Sequence, residues 1–238
     1  MNIAVILAGG VGSRLGAEQP KQFVEILGKP IIVYTIQEFE QHPSIDEIGV
    51  VCIKEYIEIL RNFILRYNLK KVKWIVEGGL DFQHSVLSGI NALRSRAAKE
   101  DIVLIHYAAS PFVSEEIISD GIEVAKEKGN CVSATPCYLL LGSNDDGIRS
   151  TRWVDRDQVM QLNSPQCFRF EYVDQLYYEA EEQGLFEEVE PHTTSLMYRM
   201  GRTIYFSKGN QSNIKITTKE DLDLFEGYVL MRRERGDL

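Results

Sequence analysis

The stretch Ile3-Ala4-Val5-Ile6-Leu7-Ala8-Gly9-Gly10 decides the fold class. An unbroken apolar run ended by paired glycines is how a strand buried on both faces of a parallel sheet reads. Such a sheet needs crossover helices, and the chain supplies them. Pro30 stands where a first helical residue would, and Ile31–Gln41 then places Ile32, Thr35, Ile36 and Phe39 on one helical face. Ile48–Ile53 reads as a strand, Glu55–Arg66 as a helix, Val72–Val76 as a strand and His84–Arg96 as a helix. Ile102–His106 follows as a strand, and Ser114 is placed to cap a helix running to about Lys128. This alternation predicts an α/β fold with helices on both faces of a mostly parallel sheet. In such sheets ligands bind beyond the carboxyl ends of the strands, so the loops after Leu7, Val76 and Ile105 should converge on one site.

The rhythm changes after Cys131–Cys137. The turn cluster Gly142-Ser-Asn-Asp-Asp-Gly147 lies between two strand-like segments and predicts a hairpin standing off the sheet. A helical pattern resumes at Glu171–Glu182, a strand is expected at Thr203–Phe206, and Thr218 with Asp221 forms a capping box for a last helix. With no repeat and no linker, residues 1–238 read as one domain with an arm at about 138–160.

Of 238 residues, 44% are hydrophobic and 26% charged, enough for a sizeable core and too ordered a composition for a disordered chain. A net charge of -9 argues against a general nucleic-acid or membrane-surface binder, while a local basic pocket stays open. The apolar runs are far short of the ~20 residues a bilayer needs, and Met1 leads almost directly into a strand rather than a leader. Cys52, Cys131, Cys137 and Cys167 form no CxxC pair and read as buried free thiols in a reducing cytoplasm.

The chemistry concentrates in Leu7-Ala-Gly-Gly-Val-Gly-Ser-Arg-Leu-Gly-Ala-Glu-Gln-Pro-Lys-Gln22. A glycine-rich loop after the first strand lets backbone N–H groups approach phosphate oxygens. No Gly-Lys-Ser/Thr follows, so it is not a Walker A loop, and the third glycine of a dinucleotide fingerprint is replaced by Leu15. Its distinguishing feature is that Arg14 and Lys21 share the loop. Two cations over a polyphosphate stabilise the charge that develops in phosphoryl or nucleotidyl transfer. Gly-x-Ser-x-Gly and zinc-ligand spacing are both missing, which sets aside a serine hydrolase and a zinc site.

Ala-Gly-Gly-x-Gly-x-Arg-Leu-(x)4-Pro-Lys-Gln22 resembles the opening of the sugar- and polyol-phosphate nucleotidylyltransferases. More closely, it is similar to the cytidylyltransferases acting on 2-C-methyl-D-erythritol 4-phosphate or ribitol 5-phosphate. The resemblance continues in order through Gly78-Gly79 with Ser85-Val86, His106-(x)4-Pro111-Phe112, Asp155-Arg156, Ser164-Pro165-Gln166-x-Phe168 and Asn213-Ile-Lys-Ile-Thr217. It implies a Rossmann-like three-layer nucleotidyltransferase fold with a protruding β-arm, and a homodimer clasped by that arm. The implied reaction is attack of an alditol phosphate on the α-phosphorus of CTP, with Mg²⁺ bridging phosphate oxygens and pyrophosphate leaving. The implied catalytic residues are Arg14, Lys21 and Lys215. Leu7, Ala8, Gly9, Gly10, Gly12, Gly79 and Ser85 would hold the nucleotide, and Arg156, Ser164 and Lys215 the second substrate.

The chain departs from the family pattern at related positions. His-Asp-x-x-Arg-Pro is His106-Tyr107-Ala-Ala-Ser110-Pro111, Phe82 replaces an arginine, and an acidic Thr-Asp-Asp/Glu-Ala segment is Pro191-His192-Thr193-Thr194. The Asp-Thr pair expected ahead of the arm is replaced near Leu139-Leu140. Tyr107 and His192 are poor ligands for Mg²⁺, so no residue is assigned to a metal. Two readings stay open: an active transferase, ribitol-type or alternatively methylerythritol-type, and a non-catalytic nucleotide-binding relative. Tyr107 and Tyr177-Tyr178 could stack on a base, although aromatics at such spacing usually sit in the core. His106, at the end of a buried strand, is expected to be structural.

Overall fold

The computed structural model describes residues 1–10 and 19–236. β1 (Asn2–Ala8) leads to the short strands β2 (Glu25–Ile26) and β3 (Lys29–Pro30), then α1 (Ile31–Gln41), β4 (Glu47–Cys52), α2 (Ile57–Arg66), β5 (Val72–Glu77) and α3 (Phe82–Leu93). β6 (Ile102–Tyr107), α4 (Glu115–Lys128) and β7 (Asn130–Pro136) precede the small pair β8 (Leu141–Gly142) and β9 (Trp153–Val154). β10 (Met160–Arg169), α5 (Phe170–Glu182), α6 (Thr193–Arg199), β11 (Phe206–Lys208) and α7 (Lys219–Arg235) complete the chain.

The main sheet has seven strands in the order β11-β7-β10-β6-β1-β4-β5. β1 pairs parallel with β4 and β6, β4 with β5, and β7 with β11, while β10 runs antiparallel to both β6 and β7. This is the mostly parallel α/β sheet expected from the alternating pattern. β1 explains why its sequence shows no polar face. Ala4, Ile6 and Ala8 enter a core with α1, α2 and α4 residues, whereas Ile3, Val5 and Leu7 enter a second core with α3, α5 and α6 residues. Each fully buried aliphatic side chain there contributes roughly 1.5–3 kcal/mol of hydrophobic stabilisation.

The helix termini follow local chemistry. The Ser114 side chain accepts from the Ile117 N–H, and Gly129 ends α4 in the left-handed region with φ 88°. Thr218 and Asp221 form the reciprocal capping box of α7. α7 docks through Phe225, which meets Tyr34 of α1 edge-on at 5.1 Å, and through Arg232 Nη1, which donates to Glu38 Oε1 at 2.7 Å.

Several boundaries differ from the sequence expectation. Pro30 is the extended residue flanking α1 rather than its first helical residue. α3 begins at Phe82 because the Asp81 side chain caps it by accepting from the His84 N–H. β11 lies at Phe206–Lys208 instead of Thr203–Phe206, because its partner register runs along Val132–Ala134. Residues 213–217, whose alternation reads as a strand, join no sheet. Their backbone bonds run to a loop: Ile216 N donates to Ala109 O at 2.8 Å. The hairpin is present, with Leu141 and Gly142 paired to Val154 and Trp153 outside the main sheet. All four cysteines are free and buried. No helix among the described residues is long and apolar enough to cross a membrane.

Candidate active site

The loops after β1, β5 and β6 converge as the topology requires. Leu7, Gly9, Gly10, Lys21, Gln22, Gly79, Leu80, Asp81, Phe82, Ser85, Tyr107, Ala109 and Lys215 line one cavity of about 310 Å³. A second cavity, of about 380 Å³, is lined by Leu162, Asn163, Gln166, Glu190, His192, Thr194, Ser195 and Tyr198. Tyr107 and Lys215 border both, so the two spaces share a wall.

The first cavity is built from backbone close approaches. Gln22, almost fully buried, donates from Nε2 to Ala8 O and to Gly10 O, both at 2.9 Å, and so pins the start of the glycine loop to the sheet. Gly79 N donates to Ser85 Oγ at 3.1 Å. A Cβ on Gly79 would lie 2.3 Å from His84 Cβ and 2.6 Å from its carbonyl carbon, so only glycine fits. Ser85 Oγ also lies 3.0 Å from where a Gly9 Cβ would sit, which ties the β1 and β5 loops together. Asp81 is held below the ordinary carboxylate range: burial opposes this, but hydrogen bonds from the His84 backbone and ring outweigh it.

The two lysines are joined through the 213–217 segment. Lys21 Nζ donates to Ile216 O at 2.7 Å. Ile216 is fully buried in a core with Tyr34, Phe112 and Phe225 of the α1 and α7 side, which anchors the backbone of Lys215. Lys215 Nζ stands 4.0 Å from the centroid of the Tyr107 ring.

The second cavity has a hydrogen-bonded aromatic wall. The Tyr107 hydroxyl lies 2.8 Å from His192 Nδ1, and Gln166 Nε2 donates to the same hydroxyl at 3.3 Å. Burial pushes the Tyr107 phenol well above its ordinary value, opposed by the Gln166 hydrogen bond. Burial, then the nearby Lys215 charge, lowers His192, with Glu190 opposing. Both groups are therefore neutral near pH 7.

Of the sequence-predicted residues, Leu7, Gly9, Gly10, Gly79, Ser85, Lys21 and Lys215 come together around the first cavity, and Ala8 sits at its edge through Gln22. Gly12 and Arg14 lie outside the described residues. Ser164 is buried at the irregularity of β10, its carbonyl accepting from Asn213 Nδ2 at 2.8 Å, and lines neither cavity. Arg156 is on the arm, where Nη1 donates to Tyr138 O at 3.1 Å, away from both cavities of its own chain. Sequence reasoning treated Phe82 and His192 only as losses, offered Tyr107 as a base-stacking ring as well, quoted Gln166 without a role, and did not single out Gln83. The available signal was that three separated departures from one pattern all introduced rings.

The model of the IspD family, 2-C-methyl-D-erythritol 4-phosphate cytidylyltransferase, matches residues 2–231. The chain belongs to the IspD family. A ribitol-5-phosphate cytidylyltransferase of Lacticaseibacillus paracasei is 36% identical to this IspD-family chain over 229 residues, covering 96% of it and 98% of the relative. A 2-C-methyl-D-erythritol 4-phosphate cytidylyltransferase of Clostridium acetobutylicum is likewise 36% identical, over 224 residues, covering 93% and 94% of the two chains. In fold, the 4-diphosphocytidyl-2C-methyl-D-erythritol synthase of Anaerococcus prevotii superposes with a TM-score of 0.80 at 24% identity, covering 97% and 96%. The IspD-family chain is thus a cytidylyltransferase of the nucleotidyltransferase class, and its reaction is CTP-dependent cytidylyl transfer to a phosphorylated polyol.

Proposed function

We propose that the acceptor is a pentitol phosphate of the ribitol 5-phosphate type, and that the two cavities divide the substrates. In this reading CTP lies over the glycine loop and the Gly79–Ser85 turn, and the acceptor occupies the space bordered by His192 and Gln166. The observation that carries the division is the common wall: Lys215 and Tyr107 border both cavities, where a reacting α-phosphorus and an attacking phosphate oxygen have to meet. A phosphate oxygen of the acceptor forms the new bond to the α-phosphorus, and the bond to the β-phosphate oxygen breaks, releasing pyrophosphate. Lys21 and Lys215, with Arg14 of the glycine loop, neutralise the charge that accumulates on the transferring group. The ribitol-type reading follows ribitol-5-phosphate cytidylyltransferases such as the Lacticaseibacillus enzyme, with the methylerythritol branch, represented at the same 36% identity, as the alternative.

The arm suggests how Arg156 enters. Leu140 and Ile148 are 93% exposed and Trp153 72%, an apolar surface that a second copy of the chain would cover. In the resulting homodimer, Arg156 of each arm reaches the acceptor cavity of the other subunit, with Ser164 supporting the base of β10. Four buried free thiols suit a reducing compartment, and we place the enzyme in the cytoplasm.

Magnesium is the metal expected of such a reaction, yet the donor set does not fit a protein-held ion. Among the described residues no group of three or more His, Cys, Asp or Glu converges as a metal site. The shared wall offers a protonated phenol and an imidazole, poor partners for a hard cation, and Asp81 is engaged as the cap of α3.

The deciding experiment is pyrophosphate release from CTP with ribitol 5-phosphate, methylerythritol 4-phosphate, glycerol phosphates and other pentitol phosphates, with UTP as the nucleotide control. Release with ribitol 5-phosphate is expected. Release with methylerythritol phosphate alone would transfer the chain to the other branch. Silence across the panel despite measurable CTP binding would favour a nucleotide-binding relative without turnover.

A further inference from the structure

Phe82 at the start of α3, Tyr107 at the end of β6 and His192 ahead of α6 meet as one aromatic cluster. Their ring centroids lie 6.0 Å (Phe82–Tyr107), 5.8 Å (Phe82–His192) and 6.1 Å (Tyr107–His192) apart. The cluster is held from two sides. Gln166 Nε2 donates to the Tyr107 hydroxyl, which lies against His192 Nδ1. From the other side, Gln83 Nε2 donates to the carbonyls of His192 at 3.1 Å and Glu190 at 3.3 Å, while Gln83 Oε1 accepts from the Tyr177 hydroxyl at 2.8 Å. Gln83, Gln166, Tyr107 and Tyr177 are all buried, so this is a fixed network rather than a surface contact.

The Tyr107 hydroxyl and His192 Nδ1 share one hydrogen bond, and the imidazole tautomer decides which of them donates. A neutral imidazole carries one N–H, and in the arrangement where Tyr107 donates to Nδ1 that proton resides on Nε2. His192 lines the second cavity, and no hydrogen bond engages its Nε2 among the described residues.

We propose that Tyr107 and His192 act as a single acceptor-specificity element, in which His192 offers its Nε2–H as a fixed hydrogen-bond donor to an oxygen of the phosphorylated acceptor. Tyr107 is the positioning residue that sets the tautomer and the ring plane, and Phe82 packs the pair in place. A carboxylate at either position would accept hydrogen bonds from substrate hydroxyls. This wall instead donates one, to an oxygen lone pair of the acceptor. The inference rests on the acceptor occupying the cavity bordered by His192, as proposed above.

Two measurements test it. Long-range proton–nitrogen NMR on the free protein labelled in its histidines reads the tautomer, with the His192 signal identified by its loss in His192→Gln. The Nε2–H tautomer is expected, and Tyr107→Phe, which keeps the ring, should convert it to a mixture. A dominant Nδ1–H tautomer overturns the proposal whatever the activity. In steady-state assays, Tyr107→Phe and His192→Leu should each raise the acceptor KM about tenfold, the effect of one net hydrogen bond, with a far smaller change in the CTP KM. The double variant should be no worse than either single one, because the pair works as a unit. Additive losses, or a change confined to the CTP KM, overturn it. If no acceptor releases pyrophosphate, it is the transferase assignment that fails, and the tautomer still decides the pair.

Discussion

Lys215 Nζ sits 4.0 Å over the centre of the Tyr107 ring, and both residues border the glycine-loop cavity and the His192 cavity. The ammonium is thereby aimed at the junction of the two spaces by an uncharged aromatic face. A carboxylate there would attract and partly neutralise it.

Replacing either lysine should therefore damage turnover more than binding. Lys215→Ala and Lys21→Ala should each lower kcat by about 10²–10³-fold, the scale of removing one preorganised group that stabilises transition-state charge. Pyrophosphate release at saturating CTP and acceptor measures this. A kcat within twofold of the parent for both variants would remove them from the reaction.

Gly79→Ala tests the packing of the nucleotide turn. The added methyl would meet His84 at 2.3 Å, and because backbone is involved the turn itself has to move. CTP affinity should fall by about tenfold or more, read by titration calorimetry, while α3 keeps its Asp81 cap and the protein stays folded. Unchanged affinity would mean that CTP does not rest on this turn.

How much of this was legible in the sequence differs from element to element. β1 was readable because both its faces are buried, which leaves an uninterrupted apolar run, and α4 because Ser114 and Gly129 mark its two ends. β10 was hidden because Pro165 lacks an N–H and breaks the ladder between Asn163 and Gln166, so the segment shows no clean alternation. Residues 213–217 carried a strand pattern without a strand, since Ile216 turns into the α7 core and the backbone bonds to Ala109 instead. The start of the glycine loop, Gly9 and Gly10, was placed beside a cavity by its position after β1 alone. The aromatic wall could not be read the same way. Phe82, Tyr107 and His192 are 25 and 85 residues apart in successive steps, and only the folded chain makes them neighbours.

His106 makes stability depend on pH. It is fully buried, its Nε2 lies 2.9 Å from the Ser110 carbonyl, and burial drives it from 6.5 to about 4. Between those values the unfolded chain takes up a proton that the folded chain refuses. Stability is therefore fully present above about pH 6.5 and declines as the pH falls towards 4, by about 3 kcal/mol. Urea unfolding at a series of pH values should show this decline, and His106→Gln should flatten it. An equal slope in the variant would assign the pH dependence to other groups.

The arm predicts an oligomer that can be broken from its tip. Leu140→Asp and Ile148→Asp place charge on side chains that are 93% exposed in the single chain, so they should leave its fold intact. Sedimentation velocity should find the parent dimeric and the double variant monomeric, with an acceptor KM raised by the loss of the partner's Arg156. A monomeric parent would dismiss the arm as a clasp.

The contact of Lys21 Nζ with the Ile216 carbonyl, and of the Ile216 N–H with Ala109 O, ties Lys21 and Lys215 to one length of main chain. Main-chain bonds are indifferent to which side chains surround them. These two lysines can therefore keep their places while the wall formed by Phe82, Tyr107 and His192 changes residue by residue. A chain built this way separates the placement of its cations from the shape of the space beside them.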